Sequence, residues 1–299
     1  MNTDHNVWKQ IRELGTALAP TTFADTAAIL APTALRPNGL TTERDLAYGP
    51  HERHRLDLFH APDGARDKPV LVYVHGGGFV QGDKRAPGLP FYDNFGAWAA
   101  LTGAVGVTVT YRLAPQHPWP AGAEDLAAAL DLLQAQVAAR GGDPQSIFLV
   151  GQSAGAAHVA SYLATPALHR GFAVAGAVLL SGLYDLATFE RGPLETAYYG
   201  ADPADFGAKS SLSGLLETPV PCMFSVAEYD PPKFQQQAQL LVERWFTKRG
   251  GWPHLLYLPD HNHLSPALAV GRPNDLLSQE IKAFVARHRA PRSNEASAT

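Results

Sequence analysis

The strongest constraint on this chain is a repeated pattern: unbroken apolar runs of strand length alternate with helical stripes. Val70-Leu-Val-Tyr-Val74 is the first full example. Apolar runs without polar alternation mark strands buried on both faces of a parallel sheet. Ala104–Thr110, Ile147–Val150, Ala173–Leu180, Val220–Val226 and Leu255–Leu258 repeat it. Between these runs, Phe91, Phe95 and Trp98 recur at helical spacing. So do Leu126, Leu130, Leu133 and Val137, then Phe234, Ala238, Leu241 and Trp245, and finally Leu277, Ile281 and Phe284. The alternation predicts a doubly wound α/β sheet with right-handed crossovers. Ahead of it, Arg44–Tyr48 and His54–His60 are strand-like pieces parted by the turn pair Gly49-Pro50, as in a hairpin at a sheet edge. Val7, Ile11, Leu14 and Leu18 make one helical stripe. Residues 20–40, rich in Pro, Thr and Ala, read as an irregular connection.

Composition removes several classes. At 299 residues the chain buries most of its surface without a staple. Its lone cysteine, Cys222, excludes an intrachain disulfide and a multi-cysteine metal site; mid-strand, it reads as a small buried apolar residue. With 24 Lys+Arg against 28 Asp+Glu, the net charge of −4 lacks a nucleic-acid footprint. No apolar run approaches the ~18 residues of a membrane span. The first residues show no basic stretch leading into an apolar segment, so the expected location is the cytoplasm. The tail after Ala290 reads as frayed.

Two motifs fall where strands give way to turns. Gly151-Gln-Ser153-Ala-Gly155 follows the run Ile147–Val150 and leads into a helical stretch, Ala156–Ala164. This is G-x-S-x-G in its strand–turn–helix context, which lifts a serine on a sharp turn whose neighbours must lack bulk. His75-Gly76-Gly77-Gly78-Phe79 follows Val70–Val74. Glycines leave backbone N–H groups bare, and such a nest holds an oxyanion. The amide of Ala154, just after the serine, is the second expected donor. Gly77 to Lys84 imitates a phosphate-binding loop, but Asp83 intrudes and no Ser or Thr follows Lys84.

A serine nucleophile requires a base and an orienting acid, here in the chain order serine, acid, histidine. The run Val220–Val226 ends in Ala227-Glu228-Tyr229-Asp230, and Leu255–Leu258 ends in Pro259-Asp260-His261-Asn262-His263. Asp230 and His263 are the chosen acid and base. Glu228 and Asp260 compete for the acid, and His261 for the base. His261 and His263 would also suit a metal pair, but no further ligand cluster is legible, although His51 and His54 are close in sequence. Between Leu180 and Val220 the chain is too long for a plain crossover, which marks a functional insertion.

Together these pieces resemble the α/β-hydrolase superfamily, in particular bacterial carboxylesterases related to hormone-sensitive lipase. The likeness rests on His75-Gly-Gly-Gly-Phe79, Tyr111-Arg-Leu-Ala-Pro115, His117-Pro118, Glu124-Asp125, Gly151-Gln-Ser-Ala-Gly155 and Glu228-Tyr-Asp230-Pro231. It covers roughly residues 65–290. The run His261-Asn-His263-Leu-Ser265 is similar to a neighbouring branch of small esterases and arylformamidases. The resemblance implies an α/β-hydrolase fold with a mostly parallel sheet of about eight strands. It also implies Ser153 as nucleophile, Asp230 as acid, His263 as base, and Gly77, Gly78 and Ala154 as oxyanion donors, with His75 supporting that loop. The expected activity is hydrolysis of carboxylic esters of small or medium acyl chains, without cofactor or metal. An amidase or arylformamidase on the same triad is the first alternative, and a non-catalytic ligand-binding protein the second. Phe79, Trp119, Tyr184, Tyr198 and Tyr199 are expected to line an apolar pocket. The partner is a small-molecule ester or amide, with no nucleic acid and no membrane; oligomeric state is open, a homodimer being one option. The whole chain, 1–299, reads as one catalytic domain, with residues 1–45 and 183–218 forming a small cap.

Overall fold

The computed structural model describes residues 2–172 and 174–289; the expected frayed tail and the first residue of the run Ala173–Leu180 lie outside them. The strands are β1 (Thr41–Ala47), β2 (Arg55–His60), β3 (Lys68–Val74), β4 (Val105–Val109), β5 (Gly142–Gln152), β6 (Gly176–Leu180), β7 (Cys222–Tyr229) and β8 (His254–Asn262). They form one sheet in the order β1-β2-β4-β3-β5-β6-β7-β8. β1 and β2 are antiparallel and stand at the edge, as the Gly49-Pro50 turn predicts. β2 meets β4 antiparallel, and every later pairing is parallel. The order reverses at β3, which has β4 on one side and β5 on the other. A reversal of this kind opens a crevice beyond the carboxyl ends of the strands, where ligands sit.

The helices are α1 (Asn2–Leu14), α2 (Thr22–Leu30), α3 (Asp93–Leu101), α4 (Ala121–Gln136), α5 (Ala154–Leu163), α6 (Pro193–Tyr199), α7 (Phe206–Lys209), α8 (Leu212–Glu217), α9 (Pro232–Arg249), α10 (Ser265–Ala269) and α11 (Leu276–His288). Side chains alternate between the sheet's faces. Val70, Val72 and Val74 therefore pack with α4, α5 and α8 in one core cluster. Leu71 and Tyr73 pack with α1, α2, α3 and α11 in another. Helices on both faces explain why these strands are apolar throughout. None of the described helices is long and apolar enough to cross a membrane.

Two expectations along the N-terminal segment change. The stripe expected to reach Leu18 stops at Leu14, where Gly15 takes φ +65° and donates back to Arg12; Leu18 is exposed. A glycine at this position ends a helix because it enters the left-handed region without a Cβ penalty. Residues 20–40 are not wholly irregular, since α2 occupies their middle. Its three alanines favour a helix, while Thr22 and Thr26 do not. Tertiary burial of Thr22, Thr26, Ala27 and Leu30 decides, and Asn262 Nδ2 donates to Thr26 Oγ1 at 2.9 Å.

A buried carboxylate joins the edge hairpin to the segment after β3. Asp57 of β2 is fully buried. Its Oδ2 accepts from Arg44 at 2.8 Å and from Arg85 at 2.9 Å; its Oδ1 accepts from the Asp45 amide at 2.8 Å and lies 3.5 Å from the buried Lys84 ammonium. Removing one member of such a set leaves the others uncompensated. Asp57→Ala is expected to lower the unfolding free energy by about 3 kcal/mol in urea titration. A loss below about 1 kcal/mol would mean that solvent already screens the cluster.

Candidate active site

The site is built on one turn. β5 ends at Gln152 and α5 begins at Ala154, so Ser153 alone reverses the chain, with φ +56° and ψ −118°. The Ser153 amide donates to Leu180 O at 2.8 Å, which ties the turn to the end of β6. The flanking glycines make close approaches. A Cβ on Gly155 would stand 2.0 Å from Val74 O, and one on Gly151 would stand 2.5 Å from Gly155 O. Only hydrogen fits at either position, so the start of α5 presses against the end of β3 and Ser153 is raised into the crevice.

His263 bridges the serine and the acid. Its Nε2 is 2.8 Å from Ser153 Oγ, and its Nδ1 is 2.6 Å from Asp230 Oδ1. Asp230 and His263 are buried, while Ser153 is partly accessible. The other oxygen of Asp230, Oδ2, accepts from the Ala227 amide and from Ser181 Oγ, both at 2.7 Å. The carboxylate is therefore held by three donors, which offset the cost of its burial. Gln152 Nε2 donates to His263 O at 2.9 Å, and the Phe234 ring lies 4.1 Å from the imidazole.

The competing groups are elsewhere. The apolar runs suggested strands ending at Val226 and Leu258, but β7 continues to Tyr229 and β8 to Asn262, with Tyr229 opposite Asn262. Glu228, Asp260 and His261 are therefore strand residues. Glu228 Oε2 accepts from the Asp260 amide at 2.7 Å, and Asp260 pairs with Arg12 at 2.7 Å. His261 Nδ1 meets Ser265 Oγ at 2.9 Å, and its ring packs on Trp8. Asp230 and His263 each follow directly on the last strand residue or the turn after it, where side chains reach the crevice.

The loop after β3 supplies bare amides. Gly77 takes φ +121°, and a Cβ there would stand 2.1 Å from Gln81 O. Gly77 O accepts from Val80 and Gln81, while the amides of Gly77 and Gly78 donate to none of the described residues. The amide of Ala154 opens α5 and has no carbonyl one turn earlier to take it. His75 supports this loop: its Nδ1 donates to Gly76 O at 2.6 Å, and its ring stacks on Tyr111, whose hydroxyl donates to His75 O at 2.8 Å. Arg112 pairs with Asp125, which also meets His54, so the segment after β4 is fastened to α4.

Four of the five residues expected to line a pocket pack into one largely buried aromatic cluster. Phe79 and Tyr198 stack 4.6 Å apart with an interplanar angle of 4°, and Tyr199 meets Phe79 edge-on. Ala154, Ala157 and Phe234 complete this wall beside Ser153, and Trp119 packs against it. Tyr184 is the exception. Gln237 Oε1 accepts from its backbone amide, and its ring turns into the main core against Phe224. Sequence reasoning missed Ser181, Gln152 and Phe234; Ser181 carried one signal, its place at the carboxyl end of a buried run. Among the described residues no three His, Cys, Asp or Glu side chains converge as metal ligands. Burial pushes the Cys222 thiol up to about 12, which keeps it protonated.

Comparison with known proteins gives a consistent picture. Residues 71–245 match a family model described as the alpha/beta hydrolase fold. Esterase LipQ of Mycobacterium tuberculosis is 32% identical over 218 residues, covering 65% of this chain and 51% of that protein. Carboxylesterase NlhH of the same species is 38% identical over 125 residues, covering 42% of this chain and 38% of that protein. The chain thus spans about half the length, or less, of these curated relatives. A crystal structure of an esterase from the bacterial hormone-sensitive lipase family superposes with TM-score 0.69 at 25% identity, covering 96% of this chain and 98% of that one.

Three histidines around the site are sealed from water. Burial pushes His75 and His261 down to about 4 and His158 down to about 3. An unfolded histidine takes its proton near ~6.5. Between these values the unfolded chain binds protons that the folded chain does not. Stability is therefore full above about pH 6.5 and falls as the pH drops toward 4, by about 1.4 kcal/mol per pH unit for each ring. The urea midpoint is expected to fall from about pH 6.5 to about pH 5, partly offset below about pH 6 by the buried Asp275 carboxyl, which burial pushes up to about 6, and His261→Gln to remove one ring's share of that slope. A flat profile in this window would show that the rings are hydrated in the native state.

Proposed function

The chain belongs to the α/β-hydrolase fold family, and from that premise we propose that it is a serine carboxylesterase acting on small or medium acyl chains. The observation that carries this reading is the imidazole of His263, 2.8 Å from Ser153 Oγ on one side and 2.6 Å from Asp230 on the other. Ser153 Oγ attacks the ester carbonyl while His263 Nε2 takes its proton. Asp230 holds the Nδ1–H tautomer and stabilises the imidazolium. The carbonyl oxygen gains charge as the tetrahedral intermediate forms, and the amides of Gly77, Gly78 and Ala154 receive it. Losing one such donor typically costs ~3 kcal/mol of barrier. His263 returns the proton to the leaving alcohol, and water then repeats the sequence on the acyl-enzyme. No step calls for a metal or an organic cofactor.

The wall beside the serine supports a small or medium acyl group. Phe79, Tyr198 and Tyr199 are packed and buried, which favours a short chain over a long one on that side. We read residues 1–299 as one catalytic domain capped by 1–45 and 183–218. In support, α1 reaches β8 through Arg12 and Trp8, and α6 lies over the glycine loop through Leu194. The names of LipQ and NlhH point to the same activity.

Ser153→Ala is expected to lower turnover of p-nitrophenyl butyrate by ~10³-fold or more, with an unchanged melting temperature. Fluorophosphonate labelling should disappear with it. Asp230→Asn should be far more damaging than Glu228→Gln. Wild-type turnover by the serine variant would overturn the reading, and the reverse order of the carboxylate variants would move the acid to Glu228. Matched amide substrates separate an amidase from an esterase by their relative kcat/KM.

A further inference from the structure

We propose that Leu194 is a specificity-determining residue: it sets how long an unbranched alkyl group can be when it leaves the oxyanion loop on the α6 side. The proposal rests on the carboxylesterase reading. A Cβ on Gly78 would stand 2.6 Å from Leu194 Cδ1 and 3.5 Å from its Cβ and Cγ, so the leucine occupies the space beside that glycine. The contact has a structural origin. Leu194 precedes Tyr198 by one turn on the same face of α6. Tyr198 stacks on Phe79, which follows Gly78 in the loop. The stripe that buries Tyr198 on Phe79 thus carries Leu194 out over Gly78.

Its exposure argues against a packing role. Leu194 is 44% exposed, whereas Tyr198 and Tyr199 on the same helix are 1% and 2% exposed. The tyrosines anchor α6, and three more ties hold it. Glu195 pairs with Lys233 at the start of α9 and accepts from the Gly192 amide, and the Trp119 amide donates to Tyr198 O at 2.8 Å. Beside the closed aromatic cluster, Leu194 is an exposed apolar lip over Gly78. A longer substituent must pass it.

The alkyl group can belong to the acid or to the alcohol of the ester, and two substrate series distinguish them. One varies the acyl chain of p-nitrophenyl esters from acetate to octanoate. The other varies the alcohol of acetate esters from methyl to hexyl. Leu194→Ala is expected to raise kcat/KM for the longest members relative to the shortest by about tenfold or more in one series, since a methylene in an apolar pocket is worth ~10-fold or more. Leu194→Trp should lower the same ratio, and both variants should keep the wild-type melting temperature. The series that responds identifies which group passes the lip. Unchanged chain-length profiles in both series for both variants would overturn the proposal while leaving the esterase reading in place. A wild-type protein that hydrolyses no member and takes no fluorophosphonate label would overturn both.

Discussion

The site depends on one backbone contact: the approach of Gly155 to the carbonyl of Val74, so close that a Cβ would stand 2.0 Å from that oxygen. This contact presses the first turn of α5 against the end of β3. It leaves Ser153 as the only residue available to reverse the chain, and Ser153 adopts φ +56° and ψ −118° to do so. A non-glycine residue there costs ~1–3 kcal/mol, which persists only where the surroundings over-determine it. Here they do. The Ser153 amide is bound by Leu180 O, β5 lies between β3 and β6, and both glycines of the motif are in contact with backbone. The same geometry brings the glycine loop after β3 to the serine, because both leave the sheet at its point of reversal.

The remaining groups are placed by the strands beyond β5. Asp230 is buried, and His263, Ala227 and Ser181 supply its donors. Each donor comes from a different element: the turn after β8, the end of β7 and the residue after β6. The register of three parallel strands therefore decides whether the carboxylate is satisfied. Gln152 adds a cross-link from the serine turn to the backbone of His263. The imidazole is held from both ends, and its two nitrogens face two different partners without any rearrangement.

Much of this was legible before any coordinates. The apolar runs marked β3 to β8 because a sheet covered on both faces leaves no polar positions to interrupt them. Gly151-x-Ser153-x-Gly155 was legible because its spacing states a steric requirement. The boundaries were not. β7 and β8 continue through Glu228 and Asp260, polar residues that a hydropathy reading takes for loop, because Glu228 binds the Asp260 amide and Arg12 binds the Asp260 side chain. α2 escaped notice because four buried positions, two of them threonines, hold it against the rest of the fold. Ser181, Gln152 and Phe234 act across strands, and their partners are defined only once the strand order is known. Tyr184 was misplaced for the same reason, since Gln237, far along the chain, sets which way its backbone turns.

The insertion between β6 and β7 is where sequence patterns carry least. It is built of helices of four to seven residues, too short to develop a periodic stripe. Its order comes from non-local contacts: Tyr198 on Phe79, Glu195 with Lys233, and the backbone of Trp119 with that of Tyr198. None of these touches Ser153, Asp230 or His263 directly. Ser153, Asp230 and His263 are fixed by the sheet, while the residue over Gly78 is fixed by the insertion, so the two are positioned separately. Leu194 lies beside Gly78 and makes none of the hydrogen bonds that join Ser153, His263 and Asp230. The division has a physical basis: Ser153, Asp230 and His263 sit at strand ends that cannot shift without breaking the core, and Leu194 sits on the exposed shoulder of a helix whose anchors lie on its other residues.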